Sequence, residues 1–178
     1  MKVIVLGAAA GGGFPQWNAN STSNRRAFAG DPNHPTSTQA SLAVSTDGDN
    51  WLLLNAAPDL RQQIIATPEL HPREGLRSSP IKSVIVTGAD VDALTGLLTL
   101  RERHPFTLWA TQYVHRVITA NPVFNVLDPA LVRRETIALE AEWRAAAAVV
   151  GASVITTSTS GTDHEAFRDA GFEALVRW

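Results

Sequence analysis

Residues 81–103 read IKSVIVTGADVDALTGLLTLRER, and this stretch sets the fold class of the chain. Residues 81–87 form an apolar, β-branched run, which predicts a buried strand. A loop that carries Asp90 and Asp92 follows, and residues 93–103 predict a helix. A buried strand that leads through a short loop into a helix is typical of an α/β protein.

Strand and helix signals continue on both sides of this stretch. Downstream, residues 107–110 predict a short strand and residues 111–118 predict the next helix. Upstream, residues 59–67 predict a helix that follows Pro58 and takes Asp59 as its N-cap. Each predicted helix therefore lies next to a predicted strand, as the α/β class requires.

The N-terminal part adds three predicted strands. Residues 41–45 and 51–55 flank Asp47-Gly48, and Asp-Gly between two apolar runs is a good hairpin signal. Residues 2–6 form a short β-branched run that predicts another buried strand. Residues 14–38 look irregular and predict a long loop, and such loops in compact domains are usually functional or mobile. The resulting order β, ββ, α, β, α, β, α predicts a mixed α/β fold.

The composition excludes several classes of protein. Of the 178 residues, 44% are hydrophobic and 18% are charged, which excludes a wholly disordered chain. A net charge of −2 argues against a nucleic-acid or anionic-lipid partner. The absence of cysteine excludes disulfides, thiolate metal sites and a cysteine nucleophile. No stretch reaches the roughly 18 apolar residues of a membrane span, and we expect a cytoplasmic protein.

Residues 7–13, GAAAGGG, follow the first predicted strand and are called the glycine loop below. Backbone N–H groups of such a loop can bind an anion. A dinucleotide fingerprint is incomplete here because Ala9 stands at its second glycine, and Phe14-Pro15 interrupts any helix. The pattern favours a tight loop packed closely on another part of the backbone. Phe14 and Trp17 either line a pocket or pin the loop to the core.

Asp90 and Asp92 lie at the carboxyl end of the buried strand, spaced two residues apart. Carboxylates in this place can point into one crevice and bind a hard cation. The alternative is structural, with Asp92 as the N-cap of the helix that starts near Ala93. None of the five histidines lies at ligand spacing from another, so spacing alone identifies no metal site or catalytic site.

Several collinear blocks resemble one known family. The first block is residues 5–18, VLGAAAGGGFPQWN, and the others lie at residues 38–43, 54–64, 95–102 and 121–127. Together they resemble the N-terminal part of the PqqB family, the B proteins of pyrroloquinoline quinone (PQQ) biosynthesis in the metallo-β-lactamase superfamily. The resemblance covers residues 1–139.

The resemblance implies a four-layer αββα sandwich of two similar halves, with metal in the cleft between the two sheets. This chain would hold the N-terminal half. The implied role is PQQ synthesis, by iron-dependent oxygenation of a Glu–Tyr precursor or by transport of PQQ or its precursor to the periplasm. Iron or another divalent metal is the implied cofactor, and PQQ or a peptide-derived precursor is the implied partner.

The resemblance also implies a set of site residues. Asp90 and Asp92 are the expected catalytic and residual metal-binding residues. PQQ is a flat tricarboxylate that needs cationic partners, for which Arg61, Arg25 and Arg26 are the candidates. The expected PQQ- or precursor-binding residues are Gly11, Gly12, Gly13, Phe14, Gln16, Trp17 and Arg61.

Two departures from the family pattern weaken metal binding. The family carries a C-x-C-x-x-C zinc motif after Trp-Asn, where this chain has Ala19, Ser21 and Asn24. These residues do not replace thiolates, so we expect no structural zinc and a looser loop at residues 19–35. At the strand end the family has a pattern close to Asp-x-Glu/Gln-x-Asp-His. This chain has Gly88, Asp90, Asp92 and Ala93.

Loss of the histidine leaves an oxygen-only site, and we expect the hydroxylase to be impaired or inactive. Residues 140–178 resemble nothing in the family, and His164 there has no aligned partner. We expect a divergent or out-of-frame tail after residue 139. An uncovered sheet of half a sandwich would favour a homo-oligomer. A non-catalytic carrier of PQQ or its precursor, and an inactive truncated paralogue, stay open as alternatives.

Overall fold

The computed structural model describes residues 1–137, which form one six-stranded sheet with its helices. The strands lie in chain order across the sheet. The first three strands are antiparallel, and the third to sixth are parallel. The strands are β1 (Lys2–Gly7), β2 (Ser41–Ser45), β3 (Trp51–Leu54), β4 (Ile81–Val86), β5 (Phe106–Ala110) and β6 (Val132–Thr136).

Four α-helices accompany the sheet in the described part of the chain, and three of them follow a strand or its loop as predicted. Thr111 caps the longest helix by accepting a hydrogen bond from the backbone N–H of Val114, and Val114 and Ile118 form its buried face. The helices are α1 (Thr22–Phe28), α2 (Leu60–Ala66), α3 (Val91–Leu94) and α4 (Gln112–Ala120). None of these described helices is long and apolar enough to cross a membrane.

The hydrophobic core lies between one face of the sheet and the helices. Leu53, Val84 and Leu108 come from three neighbouring strands and are fully buried, together with Leu60 of α2 and Ile118 of α4. Each such side chain contributes about 1.5–3 kcal/mol by leaving water. Buried and less buried residues alternate along the strands because successive side chains point to opposite faces of the sheet. This burial fixes which way the sheet faces the helices.

The opposite face of the sheet is also apolar but less buried. Val5, Leu42, Leu54, Ile85 and Trp109 pair across five neighbouring strands in one row. The central members of this row are half-buried, whereas Val5 is exposed. The row is the apolar sheet face that half of a sandwich was expected to carry.

Two predictions of local structure were wrong, and one strand was missed. The first strand is the edge of the sheet rather than a buried strand, because β1 pairs only with β2 within the described residues. The segment 14–38 is not irregular throughout, since Ser21 caps α1 within it. This helix also lies where a looser loop was expected. The sixth strand, β6, was not predicted at all.

The α-helix predicted at residues 93–103 is mostly replaced by a 3₁₀ turn. Only α3 is α-helical, and a 3₁₀ turn follows at Thr95–Leu100. The N–H of Gly96 donates to the carbonyl oxygen of Ala56 at 2.8 Å, outside the helix. This contact with the segment after β3 takes the backbone out of the α-helical pattern.

The hairpin between β2 and β3 is confirmed, and Asp47 organises its turn. Its carboxylate accepts hydrogen bonds from the backbone N–H groups of Asp49 and Asn50, both at 2.8 Å, and from the hydroxyl of Ser45 at 3.0 Å. The bonds from Asn50 and Asp49 hold the pKa of Asp47 well below its usual value of 3.8. The Asp47 carboxylate therefore stays charged, and the turn keeps its anchor, at acidic pH values where an ordinary aspartate is already protonated.

The division predicted at residue 139 stays a prediction. The described unit runs from Met1 to Ile137. The expected tail at residues 140–178, including His164, lies outside the described residues.

Candidate functional site

The candidate site lies at one edge of the sheet, where the carboxyl ends of β1, β3 and β4 meet. These three strands run in the same direction, so the loops that follow them leave the sheet on the same side. The glycine loop follows β1, Asn55 follows β3, and the loop with Asp90 follows β4. Ligand sites in open α/β sheets commonly form at such an edge.

Asn55 connects the ends of β3 and β4. Its Oδ1 accepts hydrogen bonds from the backbone N–H and the hydroxyl of Thr87, both at 2.9 Å. Its own N–H donates to the carbonyl of Ile85 at 2.7 Å. The φ of Asn55 is 63°, in the left-handed region that asparagine tolerates better than most residues. Asn55 thereby fixes the start of the acidic loop.

Replacing Asn55 by alanine is expected to lower the free energy of unfolding by about 2 kcal/mol, because two hydrogen bonds are lost and alanine is strained at this φ. Asn55→Gly is the matched control, since glycine removes the same hydrogen bonds without the strain. Urea unfolding of both variants measures the effect. Equal losses for the two variants would show that the backbone conformation of Asn55 contributes nothing.

The glycine loop and the acidic loop meet at Gly11 and Asp92. A Cβ built on Gly11 would lie 2.9 Å from Cγ of Asp92 and closer still to its Oδ2, a distance that real Cβ atoms do not adopt. The carboxylate of Asp92 therefore lies directly on the backbone of Gly11. The structure thus brings together two residues that the sequence placed in one site.

The expected N-cap role of Asp92 was wrong. Asp90 occupies the N-cap position of α3, and its side chain makes no capping hydrogen bond. Asp92 lies in the first helical turn, one residue before Ala93. The carboxylate of Asp92 lies beside the glycine loop instead.

A chain of polar contacts supports the other side of the glycine loop. The carboxamide of Gln16 lies over Gly12, whose φ of 90° also favours glycine. The N–H of Gly12 donates to Oε1 of Gln39 at 3.0 Å. The backbone N–H and the Nε2 of Gln39 donate to Oδ2 of Asp59, at 2.9 and 3.1 Å. The tight loop predicted from the sequence is confirmed, and no helix begins inside it.

Asp59 and Gln39 are site residues that the sequence analysis missed. Asp59 was predicted only as the cap of α2, and its side chain makes no capping bond there. Its carboxylate binds Gln39 across 20 residues of chain instead. Asp59 could have been identified from its position just after β3, because the other polar residues of the site also follow the carboxyl ends of strands.

A cavity of about 460 Å³ adjoins the glycine loop. Gly12, Gly13 and Phe14 form part of its wall, with Asp59 and the 36–38 segment. Asp59 is the one charged side chain among the described lining residues, and they include no lysine or arginine. Its described wall therefore carries one acidic group and no cation that could pair with an anionic ligand.

The other predicted binding residues lie outside this wall. Trp17 is 79% exposed and Arg61 is exposed on α2. Arg26 pairs with Asp31 at 2.6 Å, and Arg25 binds the carbonyl of Asn20 at 2.8 Å. Arg61, Arg25 and Arg26 are therefore not gathered at the cavity, and their role in binding PQQ stays a prediction.

The described residues do not fit an iron or zinc centre. Asp90 and Asp92 supply oxygen atoms only, whereas these metals prefer sites that contain imidazole or thiolate. Among residues 1–137, no group of three histidine, aspartate or glutamate side chains lies close enough to hold a metal ion. The two carboxylates alone make an incomplete ligand set.

Comparison with known proteins gives the same fold. A family model described as "Beta-lactamase superfamily domain" matches residues 50–172, past the predicted end of the resemblance at residue 139. The chain is similar to the zinc-bound PqqB structure from Methylobacterium extorquens, with TM-score 0.75 and 55% identity over 77% of this chain and 49% of that one. A diphosphatase of the PhnP family shares the fold, with TM-score 0.58, 22% identity and coverage of 78% and 50%. These matches confirm the predicted metallo-β-lactamase fold.

Curated relatives agree with that structural match. Coenzyme PQQ synthesis protein B of Gluconacetobacter diazotrophicus is 61% identical over 140 residues, 79% of this chain and 46% of the relative. The protein of the same name from Methylorubrum populi is 50% identical over 173 residues, 97% of this chain and 57% of the relative. The chain thus spans about half the length of these relatives.

Proposed function

This chain belongs to the β-lactamase superfamily, within the group of coenzyme PQQ synthesis proteins B, and we propose that it binds an amine-bearing, peptide-derived precursor in PQQ synthesis. The observation that supports this most is the cavity beside the glycine loop, with Asp59 on its wall. The chain spans about half the length of these relatives, and what we propose for it is binding of the precursor.

Charge favours the precursor over the finished cofactor. PQQ carries three carboxylates, and the described cavity wall offers them one carboxylate and no cation. A Glu–Tyr precursor carries a free amine, which Asp59 can accept as an ion pair. Gln39 holds Oδ2 of Asp59 through two hydrogen bonds, so the carboxylate is oriented before a ligand arrives.

Oxygenation of the precursor is the second candidate function. The similarity to zinc-bound PqqB and the position of Asp92 beside Gly11 favour it. A bound iron would supply the oxygen chemistry, but Asp90 and Asp92 provide too few ligands for it. In the proposed function these two carboxylates line the polar side of the site beside the glycine loop, and they take part in no redox step.

Asp59→Asn is expected to weaken binding of a Glu–Tyr peptide about tenfold, because it removes the charge that pairs with the amine. Quenching of tryptophan fluorescence or the heat of binding measures the change. Glu74→Gln is the matched control, since it makes the same chemical change on an exposed acid that does not line this cavity.

The proposal also requires that the native chain prefer the peptide to PQQ. Tighter binding of PQQ would replace it with a carrier of the finished cofactor. An Fe(II)-dependent hydroxylated product would replace it with the oxygenase. If neither ligand binds at millimolar concentration, the proposal is wrong and the chain is an inactive paralogue.

A further inference from the structure

Asn24 joins two parts of the chain that lie just after the glycine loop. Its Oδ1 accepts a hydrogen bond from the backbone N–H of Gln16 at 2.6 Å. Its Nδ2 donates to Oγ of Ser21 at 2.8 Å, and its own N–H donates to the same oxygen at 3.3 Å. Asn24 thus links the start of α1 back to the loop eight residues earlier.

Other bonds close the same segment. The N–H of Ala19 donates to the carbonyl of Gln16 at 3.1 Å, and Arg25 donates to the carbonyl of Asn20 at 2.8 Å. The bond between Ala19 and Gln16, together with the contacts of Asn24, forms what we call the Asn24 clip, made of Gln16, Ala19, Ser21 and Asn24.

The clip occupies the three positions where the family pattern has zinc-binding cysteines, and its residues do not fit that metal. Ala19 has no donor atom in its side chain. The hydroxyl of Ser21 and the amide of Asn24 are poor zinc ligands compared with thiolates, and they already bond to each other. The chemistry of these side chains therefore disagrees with a structural zinc.

We propose that the Asn24 clip closes this loop without metal and that Asn24 holds Gln16 in place against the glycine loop. The route from Asn24 to the site is short. Asn24 holds the backbone of Gln16, and the carboxamide of Gln16 lies over Gly12. Gly12 in turn donates to Gln39, which orients Asp59.

The clip makes a prediction that does not depend on the identity of any ligand. In the native chain, exchange of the Gln16 amide hydrogen should be the same with a chelator and with added zinc. Asn24→Ala should raise that exchange rate about tenfold, because the amide loses its acceptor. Asn24→Asp keeps the acceptor oxygen and should stay within about threefold of the native rate.

The controls separate the clip from general loss of stability. Ser23→Ala changes a neighbouring residue of α1, and it should leave the exchange of Gln16 unchanged. The triple variant A19C/S21C/N24C restores the three thiols and serves as the positive control, because its exchange should respond to zinc. Amide exchange is read by NMR on the full chain, with bound zinc measured in the same samples.

Two results would overturn the proposal. The first is faster exchange across residues 16–25 of the native chain after chelation, together with stoichiometric zinc before it. The second is an unchanged Gln16 exchange rate in Asn24→Ala. If Asn24→Ala does not fold, two comparisons still test the proposal. One compares the native chain with and without chelator, and the other compares the native chain with Asn24→Asp. Failure of precursor binding would leave this result intact, so the two proposals fail separately.

Discussion

Replacing Gly96 by alanine is expected to lower the free energy of unfolding by about 3 kcal/mol, at the upper end for an overpacked site. Gly96 is buried in the 3₁₀ turn that follows α3, and its N–H donates to the carbonyl of Ala56. A Cβ on Gly96 would lie 2.7 Å from that carbonyl oxygen and closer to the oxygen of Ala57. Both obstacles are backbone atoms, so no side chain can rotate away.

The effect of Gly96→Ala should extend to the candidate site. The same contact connects the segment after β3 with α3, since the N–H of Ala56 also donates to the carbonyl of Ala93 at 2.8 Å. Gly88→Ala is the matched control, because the nearest atom to its Cβ would be a carboxylate oxygen of the exposed Asp90 at 3.2 Å, and the nearest backbone atom would lie at 4.0 Å. Urea unfolding compares the two, and a loss below about 1 kcal/mol for Gly96→Ala would mean that this contact is not close.

Replacing Leu108 by alanine is expected to lower the free energy of unfolding by about 3–4 kcal/mol. Leu108 is fully buried in β5, between β4 and β6, where it packs on the helix-covered face. The shorter side chain loses its transfer free energy and leaves a cavity that a strand paired on both sides closes poorly. The expected loss is a large part of the whole stability of a domain of this size.

Leu76→Ala makes the same chemical change at a fully exposed position and should alter stability by less than about 0.5 kcal/mol. The pair is measured by thermal or urea unfolding under identical conditions. A loss for Leu108→Ala close to that of Leu76→Ala would mean that β5 does not lie at the centre of a packed core.

The sequence predicted the fold best where local pattern and final environment agree. Residues 81–87 and 107–110 are apolar runs, and both form interior strands with a neighbouring strand on each side. Residues 2–6 have the same kind of pattern, yet β1 is an edge strand. The number of neighbours that a strand acquires depends on chain topology, which no local run records.

Contacts distant in sequence account for the other differences. The strand β6, with sequence VRRET, has one buried residue and alternates poorly, so pairing with β5 rather than pattern makes it a strand. The helix predicted at residues 93–103 is broken up by the contact of Gly96 with Ala56. The helix α1 depends on a cap by Ser21 inside a polar run that contains few apolar residues.

The candidate site was also predicted only in part. Gly11 and Asp92 were both predicted, and the structure places one against the other. Asp59 and Gln39 were missed because their link joins residues 20 positions apart and appears only when the start of β2 lies beside the end of β3. Arg61 was chosen for its charge, but its place on an exposed part of α2 depends on the helix face.

Binding of the precursor without metal is tested most directly by one pair of calorimetric titrations of a Glu–Tyr peptide into the native chain. One titration is done with a chelator and the other anaerobically with Fe(II). We expect saturable binding in both titrations, with dissociation constants that agree within about threefold. Binding that appears only with Fe(II) would show that the proposed function is wrong, because the metal would then form part of the site.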